Sequence, residues 1–155
     1  MFEEFFETQH RELFGALCLI TRNRHEAEEI MQDAFLSLLE RWDRVSSLDD
    51  PTGYLYRTSM NAFRKRRRRA KLAVKRTIGL TWTDEDLEAV EAREVVVRTL
   101  APLPPPQRAA IVLTNLLGYS SEEAAELLGM SAGAVRTLAS RGRAELRKTR
   151  SEEDE

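Results

Sequence analysis

Apolar side chains recur at intervals of three and four through most of the 155-residue chain, the spacing that lines one face of an α-helix. From Asn23 onward, Ala27, Ile30, Met31, Ala34, Phe35, Leu38, Leu39 and Trp42 keep this rhythm. It predicts a helix capped by Asn23, with Glu26 completing a capping-box variant. An earlier helix, about Phe2 to Thr21, offers Phe2, Phe5, Phe6, Leu13, Leu17 and Ile20, so the two should pack as a hairpin. Val45 to Asp49 reads as a loop. Asp50-Pro51 then supplies a cap followed by proline at the first helical position, where its missing N–H costs nothing. This third helix presents Tyr54, Leu55, Thr58, Ala62 and Phe63 on one side and continues into Arg64 to Arg69.

Residues 77 to 88 lose the periodicity and turn acidic, which predicts a linker. Helical character returns over Glu88 to Leu100, and the proline-rich stretch after it interrupts any helix. Pro105 or Pro106 can open the next helix, with Ala109, Ile111, Val112, Leu113 and Leu116 as core candidates and Gly118 at its end. Ser120 or Ser121 caps a short helix, Glu122 to Leu128; Gly129 turns the chain; Ser131 caps a last helix reaching about Lys148. Gly142 falls inside that helix, where glycine costs about 1 kcal/mol. No strand pattern rises above noise. The expected fold is all-α: two small helical domains, 1–76 and 89–150, joined by an acidic linker, 77–88, and followed by an acidic tail, 151–155.

Charge sharpens this division. The net charge is -2, with 24 basic and 26 acidic residues, but the signs are segregated. Residues 1–63 carry 6 basic and 12 acidic groups, residues 64–76 carry 9 basic and none acidic, and residues 77–100 carry 2 basic and 6 acidic. Such blocks suit different partners: a polyanion for the basic run and cationic surfaces for the acidic stretches. The longest apolar run, Leu13 to Ile20, falls far short of the roughly 20 residues that cross a bilayer, so no membrane insertion is expected. The start, Met-Phe-Glu-Glu, lacks the basic opening of an export signal, which predicts cytoplasmic residence. Cys18 is the single cysteine, so neither an intrachain disulfide nor a cysteine metal cluster is expected. His10 and His25 stand alone. Without a Gly-rich phosphate loop, metal-ligand spacing or a nucleophile–base pair, neither an enzyme nor a cofactor is expected.

The most specific local pattern lies near the C-terminus. A helix-turn-helix needs a small residue where its helices touch, a glycine to turn, and apolar residues inside the second helix. Ala125, Gly129, Val135 and Leu138 supply these, with Leu128 and Met130 filling the wedge. Ser131, Ala132, Gly133, Arg136, Thr137, Ser140 and Arg141 then face outward, and the two arginines can reach phosphates or base edges in a major groove. The bland alternative is an ordinary helical hairpin.

The basic run is less specific, since a charge run is often only a solvated helix end. Its neighbourhood adds meaning. Tyr54, Tyr56, Arg57, Asn61 and Phe63 interleave aromatic, amide and cationic groups just before Arg64, Lys65, Arg66, Arg67 and Arg68, and such a surface can stack unpaired bases and hold phosphates. Phe63 is expected in the core, as is Trp42, while Tyr54 and Tyr56 stay open between core packing and stacking.

In this order the blocks resemble those of the extracytoplasmic-function RNA polymerase sigma factors, which keep regions 2 and 4 of bacterial sigma. Ala27-Glu-Glu-Ile-Met-Gln-Asp-Ala-Phe is similar to region 2.2, and Asp50-Pro-Thr-Gly-Tyr-Leu-Tyr-Arg-Thr-Ser-Met-Asn-Ala-Phe-Arg to regions 2.3 to 2.4. Leu103-Pro, Gln107-Arg108 and the stretch from Gly118 to Arg136 resemble region 4. Tyr54 stands where the family usually has Trp, and Ala134 where Thr is common.

The resemblance implies a sigma factor that binds core RNA polymerase and directs initiation at promoters with -10 and -35 elements. It implies that Glu28, Glu29, Gln32 and Asp33, opposite the apolar stripe and free to dock, meet the clamp helices of the largest polymerase subunit, with the flap as a further polymerase contact. It assigns Tyr54, Arg57, Asn61, Arg64, Lys65, Arg66, Arg67 and Arg68 to -10 recognition and melting, with the Val45–Gly53 loop accepting a flipped base, and the last helix to the -35 element. An anti-sigma factor is an implied additional partner beside promoter DNA. The rival function is a helix-turn-helix repressor or activator that is not a polymerase subunit, which leaves the basic run and the linker without a role.

Overall fold

The computed structural model describes residues 1–72 and 94–154. Among these residues there are α-helices and one π-helical turn, but no strand.

The first module is built on α1 (Phe2–Thr21), α2 (Arg24–Glu40), the one-turn α3 (Trp42–Val45) and α4 (Pro51–Leu72). Arg22 ends α1 in the left-handed region (φ 55°), its N–H donating to the Cys18 carbonyl at 2.9 Å. The Asn23 side chain caps α2 by accepting from the Glu26 N–H at 3.0 Å. The expected return bond from the Glu26 carboxylate is replaced by the Thr21 hydroxyl, which accepts the Asn23 N–H at 3.1 Å. Asp50 caps α4 through the Gly53 N–H at 2.9 Å.

Three faces then close a core. Leu13, Leu17 and Ile20 of α1 are buried with Ala27, Ile30 and Leu38 of α2 and with Leu55, Met60 and Phe63 of α4. Phe2 and Phe5 flank Trp42 at centroid distances of 5.4 and 5.3 Å, so Trp42 is a partly buried member of the core, as expected. Two expectations need correction. Leu39 lies about 100° round the helix from Leu38 and is 49% exposed rather than part of the apolar face. Val45 is buried at the end of α3, so the loop begins at Ser46.

The second module comprises α5 (Glu94–Leu100), α6 (Pro105–Ile111), α7 (Ser121–Leu128) and α8 (Ala132–Glu153). Pro105 opens α6, which passes into a π-helical turn over Val112–Leu116 where the Leu117 N–H bonds the Val112 carbonyl at 3.0 Å. This wider turn shifts the register by one residue per turn. Leu116, an expected core residue, is consequently 49% exposed. Ser120, not Ser121, caps α7, in a complete capping box with Glu123. Helix α8 runs past Lys148 to Glu153, so most of the expected acidic tail continues the helix. The expected linker, 77–88, and the start of the expected 88–100 helix lie outside the described residues.

Gly142 has a packing reason. A Cβ there would come within 2.5 Å of Ile111 Cδ1 and 3.5 Å of Leu103 Cδ1, so its bare backbone lets α8 lie close against α6.

The modules dock on each other, α1 against α6 and α4 against α7. Arg108 is buried at this junction; its Nε donates to the Ile20 carbonyl at 2.9 Å and its Nη1 to the Leu103 carbonyl. Burial and the nearby Arg22 and Arg67 charges pull its guanidinium down to about 10, so it stays charged at neutral pH.

Candidate nucleic-acid interface

Successive residues of a helix point about 100° apart, so a run of cations on α4 cannot face one ligand. The run fans out in three directions. Lys65, Arg66 and Arg69 join Tyr54, Arg57, Thr58 and Asn61 along one side of α4, facing Asp33 and Ser37 of α2 and its C-cap Arg41 across a groove of about 590 Å³. Arg64 turns instead toward the second module, half-buried and bonded to the Asn61 carboxamide, with its guanidinium against Gly129. Arg67 is half-buried on the side of Glu26 and Arg108, and Arg68 is exposed but does not line the groove.

Five of the eight residues expected at the melting site thus come together: Tyr54, Arg57, Asn61, Lys65 and Arg66. Arg67 and Arg68 are placed apart from them, and Arg64 lies outside the groove, touching it only through its bond to Asn61. Arg41, Ser37, Thr58 and Arg69 also line the groove and were missed by the sequence reading. Thr58 and Arg69 were within reach of a spacing argument, since 54, 58, 61, 65 and 69 fall on one helical stripe. Arg41 was not, because its place depends on α2 packing against α4. Its Nη1 donates to the Tyr54 hydroxyl at 3.3 Å, fixing the ring at the groove mouth. The two tyrosines left open therefore part: Tyr56 is buried, and Tyr54 lines the groove. Phe63 is in the core as expected.

The four polar residues of α2 do face outward, but the carboxylates are not free. Glu29 Oε2 accepts from Arg66 Nη1 at 2.6 Å, and its Oε1 meets His25 Nε2 at 2.9 Å. The hydrogen bond from Arg66 holds the Glu29 carboxyl below the usual carboxylate range. Asp33 lies 3.5 Å from Arg66 Nη2 and Glu28 pairs with Arg24 at 3.3 Å, while Gln32 is exposed. His25, set aside in the sequence, belongs to this network.

The helix-turn-helix is built as its signature requires. Gly129 takes φ 64°, its N–H and that of Met130 bond the Ala125 carbonyl, and the Ser131 hydroxyl accepts the Ala134 N–H at 3.0 Å. Val135 and Ala139 are buried, with Leu138 and Ala132 packed against the core. The N-cap Ser131 and, on α8, Gly133, Arg136, Thr137, Ser140 and Arg141 are exposed; Ala132 is half-buried. Arg136 Nη1 rests 3.2 Å from Glu122 at the start of α7. Among the described residues no cluster of three or more His, Cys, Asp or Glu could hold a metal ion, and no helix is long and apolar enough to cross a membrane.

A cationic groove on one helical module and an exposed recognition helix on another define a two-module transcription protein. Residues 5–72 match the family model for sigma-70 region 2, and residues 93–146 match that for sigma-70 region 4. The ECF RNA polymerase sigma factor SigM of Mycobacterium tuberculosis is 34% identical over 94% of this chain and 74% of its own length. The RNA polymerase sigma-E factor of Streptomyces coelicolor is 30% identical over 94% and 84%. Among solved structures, the sigma factor RpoE in complex with the anti-sigma factor NepR from Bartonella quintana shares the fold, with a TM-score of 0.71, 19% identity, and coverage of 95% of this chain and 94% of that one. CnrH in complex with the cytosolic domain of CnrY has a TM-score of 0.61 and 25% identity, covering 96% and 86%. The chain belongs to the extracytoplasmic-function RNA polymerase sigma factors and directs transcription initiation.

Proposed function

We propose that the α2–α4 groove takes the non-template strand of the -10 element while α8 reads the -35 element in duplex form. The observation that carries this is the composition of the groove, where Arg41, Arg57, Lys65 and Arg69 surround Tyr54 and Asn61. Cations hold phosphates, the aromatic ring offers a stacking face, and the carboxamide can bond a base edge. Stacking at about 1 to 3 kcal/mol per base can offset an unstacking cost of a few kcal/mol, so melting is driven by binding. On α8, Arg136 and Arg141 reach base edges or phosphates, and Ser131, Ala132, Gly133, Thr137 and Ser140 form the surface that meets the major groove.

Glu28, Glu29, Gln32 and Asp33 would dock on the basic clamp helices of the largest polymerase subunit, with region 4 on the flap. The domain division proposed is 1–76 for region 2 and 89–150 for region 4. As a polymerase subunit the protein would work in the cytoplasm, as a binding protein and not an enzyme. The sigma factor RpoE of Bartonella quintana, which shares this fold, is held in complex with the anti-sigma factor NepR, which supports an anti-sigma factor here. Run-off transcription with core polymerase on genomic fragments tests this reading. Transcripts from a defined subset of fragments are expected; failure to associate with core polymerase together with no transcript on any template overturns it.

A further inference from the structure

Tyr54 stands between two hollows. Its ring lines the α2–α4 groove, and with Arg57 it also lines a neighbouring cavity whose first-module wall is made by Leu48, Asp50 and Gly53. A base that leaves the stack for this loop passes the ring, and the groove beside the ring has to hold the phosphate next to that base.

The side chain that holds the ring is carried on a fixed point of the backbone. Arg41 is the C-cap of α2 and the residue before α3. Its N–H bonds the Leu38 carbonyl at 3.1 Å, and its own carbonyl accepts from the N–H groups of Arg44 and Val45 at 3.0 and 2.9 Å. From this point its Nη1 reaches the Tyr54 hydroxyl at 3.3 Å, inside the groove.

The direction of that bond follows from its partners. A guanidinium carries several N–H donors and no lone pair to offer, so the tyrosine oxygen accepts. Arg66, by contrast, is already paired with a carboxylate, Glu29, whereas Arg41 bonds a neutral oxygen. The remaining donors of Arg41 have no hydrogen-bond partner among the described residues, and the planar fork of the group suits a phosphate. The bond also requires tyrosine at position 54, because an indole has a donor alone and could not accept it.

We propose that Arg41 and Tyr54 form a nucleotide clamp: the ring stacks on one unpaired base of the -10 strand while the guanidinium that holds the ring bonds the phosphate beside that base. Arg41 is thus a positioning residue for Tyr54 and a phosphate ligand at once, and stacking and phosphate binding act as one unit at this nucleotide. Lys65 and Arg69 of the same groove supply charge alone. The clamp rests on the assignment of the α2–α4 groove to the -10 strand.

The test uses holoenzyme assembled with the full chain, and the non-template strand of a promoter that it transcribes, carrying 2-aminopurine at one -10 position at a time. Stacking quenches the probe, and in the wild type one position should be quenched. Arg41→Ala should brighten that position and make the salt slope of strand affinity shallower by about 0.7. Arg41→Lys, which keeps the charge but not the fork, should keep the slope without restoring the quenching. Tyr54→Phe and Tyr54→Trp keep an aromatic face but cannot accept from Arg41. In either background the further loss of affinity on Arg41→Ala should be at least about twofold smaller than in the wild type, the lower end for side chains in one hydrogen-bonded unit. Circular dichroism confirms retained helix in each variant. Additive losses, or undiminished quenching in Arg41→Ala, overturn the clamp. Lys65→Ala and Arg69→Ala separate the failures. If they weaken strand binding while Arg41 and Tyr54 act additively, only the clamp falls; if they leave it unchanged and the wild type quenches no position, the groove assignment falls with it.

Discussion

Arg66 Nη1 lies 2.6 Å from Glu29 Oε2, so a cation of the proposed DNA groove is paired with a carboxylate of the proposed polymerase face. The side chains are 28% and 42% exposed, and Asp33 stands close by at 65%. Exposed pairs of this kind contribute about 0 to 1 kcal/mol, so their loss should be felt in binding more than in folding. Asp33 is the cleaner probe because reversing it leaves the Glu29–Arg66 bond in place. Asp33→Lys is expected to weaken association with core polymerase at least tenfold while moving the thermal midpoint by no more than about 4 °C, given about 2–4 °C per kcal/mol at this size. Competition for core polymerase against a labelled sigma factor measures the first and calorimetry the second. Normal assembly by both Asp33→Lys and Glu29→Lys counts against the docking face.

The groove should show itself in salt dependence. Each phosphate contact on single-stranded DNA contributes about -0.7 to the log–log slope of affinity against salt. Lys65→Ala should make the slope shallower by about that amount, and Arg68→Ala, outside the groove, should change it less. Equal changes for both would argue that the entire basic run acts as one diffuse patch.

Arg136→Ala should lower transcription from promoters that depend on a -35 element and spare those that do not. A good bidentate base contact is worth about 1–3 kcal/mol, so the loss should be roughly 5- to 160-fold. The residue is exposed and pairs with Glu122 across the turn, so the fold should be unaffected.

Gly142 is the reverse case, a residue whose replacement by a better helix former should not help. Alanine gains about 1 kcal/mol in helix propensity, but its Cβ would press on Ile111 in a packed core, where overfilling typically costs about 1–3 kcal/mol. Gly142→Ala is therefore expected to give no rise in the thermal midpoint. A rise of about 4 °C would show that α6 yields easily.

Glu26 supplies a pH dependence. Desolvation outweighs the attraction of Arg66, Arg108 and Arg67, and its carboxyl is raised above 4.5. The folded state therefore holds the proton more tightly than the unfolded state, and stability is lost as pH rises from about 4.5 through the raised value. Glu26→Gln should raise the midpoint near neutral pH and have little effect near pH 4.5. A pH-independent effect would mean that the charge is fully compensated.

What could be read in the chain follows the range of the forces involved. Asn23, Asp50, Ser131 and Gly129 act on neighbours within a few residues, and the elements they start or end are where their sequence puts them. Leu39 and Leu116 were misplaced because periodicity gives a helix face but not which part of it is met by another helix, or where a π-turn shifts the register. Arg41 beside Tyr54, Arg66 beside Glu29 and Arg108 beside Ile20 pair residues 13, 37 and 88 positions apart, and no local pattern encodes these distances.

Helix α4 is engaged on three sides. Its inner face builds the first core through Leu55, Met60 and Phe63, a second stripe makes the groove, and a third meets α7. A single segment of 22 residues is thus foundation, proposed reading surface and docking seat for the second module at once. Adaptation to a new promoter cannot proceed there freely, and the more permissive ground for divergence is the outward surface of α8.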